Sequence, residues 1–209
     1  MIISHKHKFI FFPIPKTGTH SIRFALRPYL DEQDEEHVAL FHHSKFNIEE
    51  FKDRNNGHFS VQEIRPHLNE KVWNTYYKFC FVRNPFDRFV STCFFKNPLI
   101  QKNTEKATAI MKLIAKKELK NKSLFYRPQL HYLIDFNGEI AIDFIGKLEN
   151  MQTDYELICK KINIPILTLD QLNTSTHENY SDYYDKELEQ LVLELYFEDF
   201  QKFNYKITV

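Results

Sequence analysis

The sequence predicts an α/β fold in which a P-loop-like central sheet, largely parallel, is flanked by helices. Two short apolar runs, KFIFFPI (8–14) and YYKFCFVR (76–83), have the length and composition of buried strands. A turn and then a segment with helical spacing of apolar residues follow each run. Strands that alternate with helices are typical of parallel sheets. The length of 209 residues suits a single domain that spans residues 1–209.

The first half of the chain predicts short elements. Residues 21–30 place apolar side chains on one helical face, and Pro28 is expected to kink or end that helix. The acidic run DEQDEE (31–36) predicts an exposed turn. Two short helices are expected over 47–52 and 60–68, and the second begins with the capping-box pattern S-x-x-E.

The second half predicts longer elements. Apolar residues at helical spacing favour three helices after the second strand, and AIDFIG favours a further strand with a helix behind it. The predicted ranges are helices over 86–96, 104–119, 151–162 and 183–203, and a strand over 141–146.

Composition excludes several functional classes. Lys and Arg balance Asp and Glu, so no overall field favours nucleic acid or membrane surfaces, and an anion site has to be built locally. No apolar run approaches the ~20 residues of a membrane span, and the N-terminus lacks the pattern of a signal peptide. The cysteines Cys80, Cys93 and Cys159 lie in apolar surroundings, which predicts reduced core residues and a cytoplasmic location.

The segment PKTGTHSI, between the first strand and its helix, predicts an anion site. Unpaired N–H groups at a helix start favour a phosphate or sulfate, and Gly18 permits the tight turn. Lys16 adds a full charge, and Thr17, Thr19 and Ser21 add hydroxyl groups. The pattern is not GxxxxGK[ST], since its lysine precedes its glycine. An ordinary strand-to-helix turn is the alternative.

The segment FVRNPFDRFVS repeats this design. Arg83 stands at the end of the second strand, where a guanidinium suits a second phosphate, and Ser91 lies two turns into the helix. Arg88 is either a further cation or half of a surface ion pair with Asp87 or a glutamate. Two anion sites at two strand ends suit an adenosine that carries 3′- and 5′-phosphates.

Both segments resemble those of sulfotransferases. PKTGTHSI is similar to their 5′-phosphosulfate-binding loop and FVRNPFDRFVS to their 3′-phosphate-binding segment. GHFSVQEI, YRPQLHYL, DFIGKLENMQTDY and the C-terminal tail resemble the carbohydrate (family 2) group. The resemblance implies 3′-phosphoadenosine-5′-phosphosulfate (PAPS) as the donor, a carbohydrate hydroxyl as the acceptor, and no metal.

The resemblance also implies roles for single residues. Lys16 stabilises charge on the bridging oxygen and the departing 5′-phosphate, which the N–H groups of residues 17–21 and Thr19 hold. Arg83 and Ser91 anchor the 3′-phosphate. Two positions depart from the family pattern. His20 stands where a hydroxyl is common, which leaves open whether it or Ser21 contacts the phosphate, and Lys147 stands where arginine is usual.

A sugar hydroxyl needs a general base, and histidine has a suitable pKa. His58, in GHFSVQEI, resembles in position the catalytic histidine of uronyl sulfotransferases; the alternative is an exposed turn histidine. His42 and His43 are the next candidates. Because these two are adjacent, they cannot easily share one metal, and we expect no zinc site.

Three functional hypotheses follow. The first is a PAPS-dependent sulfotransferase that acts on a carbohydrate. The second is a small-molecule kinase of the P-loop type, which the missing GK[ST] disfavours. The third is a non-catalytic module that binds a nucleotide or a glycan. The lysine-rich segment 102–122 predicts a solvated helix face, or alternatively a rim that attracts an anionic glycan.

Overall fold

The computed structural model of the chain describes residues 1–37, 48–51, 54–97, 100, 104–169 and 179–209. The chain divides into two compact units, each built from two stretches. The sheet unit comprises Met1–Val82 and Tyr132–Leu172, and the helical unit comprises Arg83–His131 and Asn173–Val209. The single domain expected over 1–209 stays a prediction.

The sheet unit holds a five-stranded sheet in the order β3-β1-β2-β4-β5. Its strands are β1 (Ile2–Ser4), β2 (Phe9–Phe12), β3 (Glu35–Glu36), β4 (Tyr77–Val82) and β5 (Phe144–Lys147). β4 is parallel to β2 and β5, whereas β1 is antiparallel to β2 and β3. The predicted α/β class is confirmed, but the sheet is mixed rather than largely parallel. β1 and β3, which were not predicted, are too short to give a strand pattern in the sequence.

The acidic run 31–36 forms the exposed turn that we predicted only over residues 31–33. Asp34 is buried and accepts hydrogen bonds from Ser4 Oγ (2.8 Å) and from the His5 N–H (2.6 Å). Glu36 lies in β3 and forms an ion pair with Arg27 (3.0 Å). Each of these carboxylates has a partner outside the acidic run, which offsets the cost of removing it from water.

Seven α-helices are present in the described part of the chain: α1 (Thr19–Leu26), α2 (Val61–Ile64), α3 (Glu70–Thr75), α4 (Pro85–Lys96), α5 (Thr104–Asn121), α6 (Met151–Ile162) and α7 (Lys186–Lys202). Pro28 ends α1 in a 3₁₀ turn, as the sequence predicted. The capping box of Ser60 and Glu63 is confirmed at the start of α2. The predicted helix over 47–52 falls partly outside the described residues.

Helices α1 and α6 pack on one face of the sheet. The contact is a cluster of apolar side chains that alternate along the strands and repeat at helical spacing. Its main members are Phe9 and Phe11 of β2, Phe79 and Phe81 of β4, Ile22 and Leu26 of α1, and Tyr155 and Ile158 of α6. This core places the start of α1 just beyond the end of β2.

Helices α4, α5 and α7 make up most of the helical unit. Their shared core includes Phe86, Phe89, Met111, Val192 and Tyr196. Lysines of α5 form ion pairs with acids near the start of α7: Lys112 with Asp185 and Glu187, and Lys116 with Glu187. These pairs favour a structural role for this part of the lysine-rich face. Within the described ranges, no helix combines the length and apolar composition that crossing a bilayer requires.

Candidate functional site

The loop between β2 and α1 has a backbone that requires glycine at one position. Gly18 is left-handed (φ 74°, ψ 21°) and immediately precedes α1, and Lys16 is also at positive φ (66°). A Cβ on Gly18 would lie 2.7 Å from Leu148 Cδ1 and 2.9 Å from Met151 Sδ. Both the torsion and the close approach therefore disfavour a side chain at Gly18.

The start of α1 has features that suit an anion. The first turn of a helix has no intrahelical acceptors for its N–H groups, and here the first intrahelical bond runs from Ile22 N to Gly18 O (3.4 Å). The first turn carries neither a side-chain cap nor an acidic residue. By contrast, α2, α4 and α7 each have a side-chain cap and an acid in the first turn. The helix dipole at α1 thus has no negative side chain in its own first turn.

The side chains of this loop differ in what they can offer to a ligand. Thr17 is buried, and its hydroxyl donates to the Ile14 carbonyl (3.0 Å). The hydroxyl proton of Thr17 is thus engaged by a backbone acceptor, and a role of Thr17 in binding an anion stays a prediction. Thr19 and Ser21 are only 8% and 4% exposed, whereas Lys16 is more accessible.

His20 is partly exposed and lies among cations. Burial, Arg23, Lys16 and Arg27 all lower the pKa of His20. The imidazole is therefore neutral at neutral pH, and a bound anion would favour its protonated form. Whether His20 or Ser21 contacts a phosphate stays open.

His58 lies next to this loop and is held there on three sides. Its Nδ1 lies 2.8 Å from the Pro13 carbonyl, so Nδ1 carries the proton and Nε2 carries the lone pair. The backbone N–H of His58 donates to Asn56 Oδ1 (3.1 Å), and its backbone carbonyl accepts from Arg54 Nη2 (2.7 Å). His58 is thus a partly buried, oriented histidine rather than the exposed turn residue of the alternative interpretation.

Several close contacts hold the segment around His58 in place. Arg54 pairs with Glu63 (2.9 Å) and stacks on the Phe59 ring, with its Cζ 4.3 Å from the ring centroid. A Cβ on Gly57 would lie 2.0 Å from the His37 carbonyl oxygen, so only glycine fits beside His58. Burial lowers the pKa of His58 to about 3, with a smaller contribution from nearby positive charge, and the bond to Pro13 only partly opposes this shift.

In the helical unit, Arg83 follows the last residue of β4 and pairs with Asp87. Nε and Nη2 of Arg83 lie 2.8 and 2.7 Å from the two carboxylate oxygens of Asp87. The sequence suggested Arg88 as a surface partner for Asp87, and that alternative is wrong. Arg88 is fully buried and donates to the carbonyls of Phe125 (3.2 Å) and Arg127 (3.0 Å).

Gln129 is a residue of this region to which we assigned no role from the sequence. Its Oε1 accepts from Arg83 N and its Nε2 donates to Arg83 O, both at 2.9 Å. It lies in the segment YRPQLHYL, which carries the family resemblance but indicates no chemistry by itself. Ser91 is 2% exposed in α4, and Asn84 caps that helix at Phe86 N (2.9 Å).

The structure therefore brings the 13–21 loop together with His58, and Arg83 together with Asp87 and Gln129. Lys147 ends β5, and its N–H donates to Asp154 (2.7 Å). His42 and His43 lie outside the described residues. Among the residues that are described, no group of three or more His, Cys, Asp and Glu side chains has an arrangement suited to a metal ion.

Comparison with known proteins decides the family. The sequence model of the sulfotransferase family matches residues 1–206. The chain belongs to the sulfotransferase family. The match spans almost the whole chain, including both segments for which the sequence predicts anion sites, and it does not favour the kinase or the non-catalytic alternative.

One similar protein is an uncharacterised protein of Archaeoglobus fulgidus. It is 29% identical to the sulfotransferase over 119 residues, which are 56% of this chain and 92% of the archaeal protein. No solved structure matches the sulfotransferase significantly. The assignment as a sulfotransferase enzyme therefore depends on the family match.

Proposed function

We propose that this enzyme transfers the sulfuryl group of PAPS to the hydroxyl of a carbohydrate. The observation that carries the proposal is the contact between His58 and the loop that precedes α1, because it gives one unit both an anion-binding helix start and an oriented imidazole. The family assignment supports sulfuryl transfer, and the resemblance to carbohydrate sulfotransferases supports the acceptor class. The three buried, free cysteines support the further proposal of a cytoplasmic location.

The loop and α1 would hold the 5′-phosphosulfate. The N–H groups of residues 17–21 and the Thr19 hydroxyl would bind the 5′-phosphate, with Ser21 or His20 as a further donor. Lys16 would neutralise the charge that grows on the bridging oxygen as the S–O bond breaks. Such groups accelerate transfer because they are already oriented before charge develops.

His58 would accept the proton of the acceptor. The acceptor oxygen attacks sulfur in line, the bond from sulfur to the bridging phosphate oxygen breaks, and the acceptor proton moves to Nε2 of His58. A pKa of about 3 would make His58 a weak base. The negative charge of the bound donor would raise this pKa, which couples basicity to donor binding.

Arg83 and Ser91 would bind the 3′-phosphate of the same donor. The bidentate pair with Asp87 orients the guanidinium through Nε and Nη2. Phosphate recognition by Arg depends on this planar geometry, so lysine is not an equivalent residue at this position.

Transfer is tested by incubating the enzyme with PAPS and a panel of glycans while adenosine 3′,5′-bisphosphate is measured. Lys16→Ala should lower kcat at least 100-fold with a small effect on donor affinity, because Lys16 acts mainly on charge that develops during transfer. Arg83→Ala should weaken donor binding at least tenfold. Lys8→Ala is a matched control for Lys16→Ala, since Lys8 is exposed and also at positive φ (52°).

Two outcomes would contradict the proposal. If PAPS does not bind at millimolar concentration, the donor assignment fails. If Arg83→Ala binds the donor as tightly as the wild type does, Arg83 is not its 3′-phosphate ligand. Loss of transfer in His58→Ala with full donor binding would support the role of His58 as the base.

A further inference from the structure

The backbone of Arg83 is held by a side chain rather than by a strand. The last pair of the β4–β5 ladder is Val82 with Lys147, so the sheet register ends one residue before Arg83. At this point the side chain of Gln129 replaces a neighbouring strand: its Oε1 accepts from the N–H of Arg83 and its Nε2 donates to the C=O of Arg83, each at 2.9 Å. A primary amide suits this task because it offers an acceptor and a donor side by side.

Gln129 is itself fixed within the helical unit. It is fully buried, and its own N–H donates to Asp199 Oδ2 (2.7 Å). Leu130 N donates to Asp199 Oδ1 (2.8 Å), and Gln129 Nε2 lies 3.4 Å from Asp199 Oδ2. Asp199 lies fully buried in α7, so the amide of Gln129 is anchored to a packed helix.

Arg83 is therefore constrained at both ends. Gln129 sets the position and direction of its peptide groups, and Asp87 sets the plane of its guanidinium. A phosphate that Arg83 binds gains affinity from this preorganisation, since little side-chain freedom remains to be lost on binding. A flexible arginine at the same place would bind the phosphate more weakly and select for it less.

We propose that Gln129 is a positioning residue that gives the enzyme its preference for a donor with a 3′-phosphate. The inference rests on the proposed function, in which Arg83 binds that phosphate. Gln129 does not touch the donor; it acts through the backbone of Arg83. Its removal should therefore weaken recognition of the 3′-phosphate and leave recognition of the 5′-phosphate intact.

The test compares two ligands on the same protein. The affinities for adenosine 3′,5′-bisphosphate and for adenosine 5′-phosphate are measured by calorimetry, and their ratio reports the 3′-phosphate alone. Gln129→Met keeps the length of the side chain and removes its hydrogen bonds, and we expect it to lower this ratio about tenfold. The affinity for adenosine 5′-phosphate should stay within about twofold of the wild-type value.

Gln62→Met is the matched control. Gln62 Nε2 also donates to a backbone carbonyl, that of Asp135 (2.8 Å), but in the sheet unit and away from Arg83 in sequence. The ratio should be unchanged in this variant. If Gln129→Met does not fold, Asp199→Asn tests the same inference, because it weakens the anchor of Gln129 and should lower the ratio in the same direction.

Each outcome has one meaning. A wild-type enzyme that does not prefer the bisphosphate contradicts the proposed role of Arg83. A wild-type enzyme that prefers it, with an unchanged ratio in Gln129→Met, overturns the role of Gln129 and leaves that of Arg83 intact. Equal loss of affinity for both ligands also overturns the inference, because it indicates a structural role alone.

Discussion

At the scale of single residues, the loop before α1 combines features that the sequence predicts with features that it does not. Gly18 and Lys16 stand out in a chain with four glycines, so an anion site could be predicted there. The hydroxyl of Thr17, however, bonds to the Ile14 carbonyl, and Arg83 bonds to Asp87. These pairings depend on the local path of the backbone, which residue types and spacing do not specify.

Gly18→Ala should destabilise the protein more than Gly138→Ala does. Both glycines are at positive φ (74° and 81°), so each substitution carries a torsional cost of about 1–2 kcal/mol. Only at Gly18 would the added Cβ also meet side chains, at 2.7 Å from Leu148 and 2.9 Å from Met151, whereas a Cβ on Gly138 would extend into open space. Urea unfolding measures both variants, and equal destabilisation would contradict the close packing at Gly18.

His58 should make stability depend on pH. Its pKa is about 3 in the folded protein and near 6.5 in the unfolded chain, so only the unfolded state takes up the proton as the pH falls from about 6.5 towards 3. Folding is therefore favoured above about pH 6.5 and loses free energy below it. In His58→Asn the side chain can still donate to Pro13. Between pH 7.5 and pH 5, the free energy of unfolding of this variant should fall by about 1–2 kcal/mol less than that of the wild type.

The measurement is the free energy of unfolding in urea at both pH values. Some pH dependence should remain in His58→Asn, because burial also lowers the pKa of His20 and His37. Identical losses in the wild type and the variant would show that His58 protonates normally in the folded state.

At the scale of elements, the segment FVRNPFDRFVS is built around a buried arginine. Arg88 lies in α4, is fully buried, and donates to the carbonyls of Phe125 and Arg127, which are four and two residues before Gln129. Its Cζ lies 5.5 Å from the centroid of the Tyr196 ring on α7. Arg88 thus joins two helices to the segment that positions Arg83, a role that the motif FVRNPFDRFVS does not reveal.

Arg88→Met should destabilise the protein by about 2–4 kcal/mol. The substitution fills much of the volume but leaves two carbonyls without their donor and the nearby buried Asp199 without a counter-charge. Arg65→Met is the control, since Arg65 pairs with the exposed Glu70 and its substitution should cost clearly less stability. Urea unfolding compares the two, and a cost below about 0.5 kcal/mol for Arg88→Met would contradict this role.

Elements whose signals are local were predictable, and elements with distant partners were not. The bounds of α6 agree with the prediction, and α2 has its capping box, because spacing and caps lie within a few residues. β1 was missed because three residues are too few to show an alternating pattern, and β3 was missed because it is acidic and pairs with β1 at the start of the chain. The charge of Glu36 in β3 is offset by ion pairs with Arg23 and Arg27, in and just after α1.

At the scale of the whole molecule, the sequence predicted the α/β class and the family, which the structure and the family match confirm. Its balanced charge excludes attraction of anions by an overall field, so recognition has to come from local groups such as the start of α1. The division into two units was not predictable. Both units mix early and late segments, and no change in composition marks their boundaries.

Because the two units are interleaved in the sequence, the protein cannot be truncated to one complete unit. The chain leaves the sheet unit after Val82, returns at Tyr132 and leaves again after Leu172, so no contiguous half of the gene encodes a complete unit. A fragment that ends at Val82 would lack β5 and α6 and would expose the apolar face that α6 covers. Truncated fragments should therefore be insoluble. Point substitutions, by contrast, can test the sheet unit and the helical unit separately.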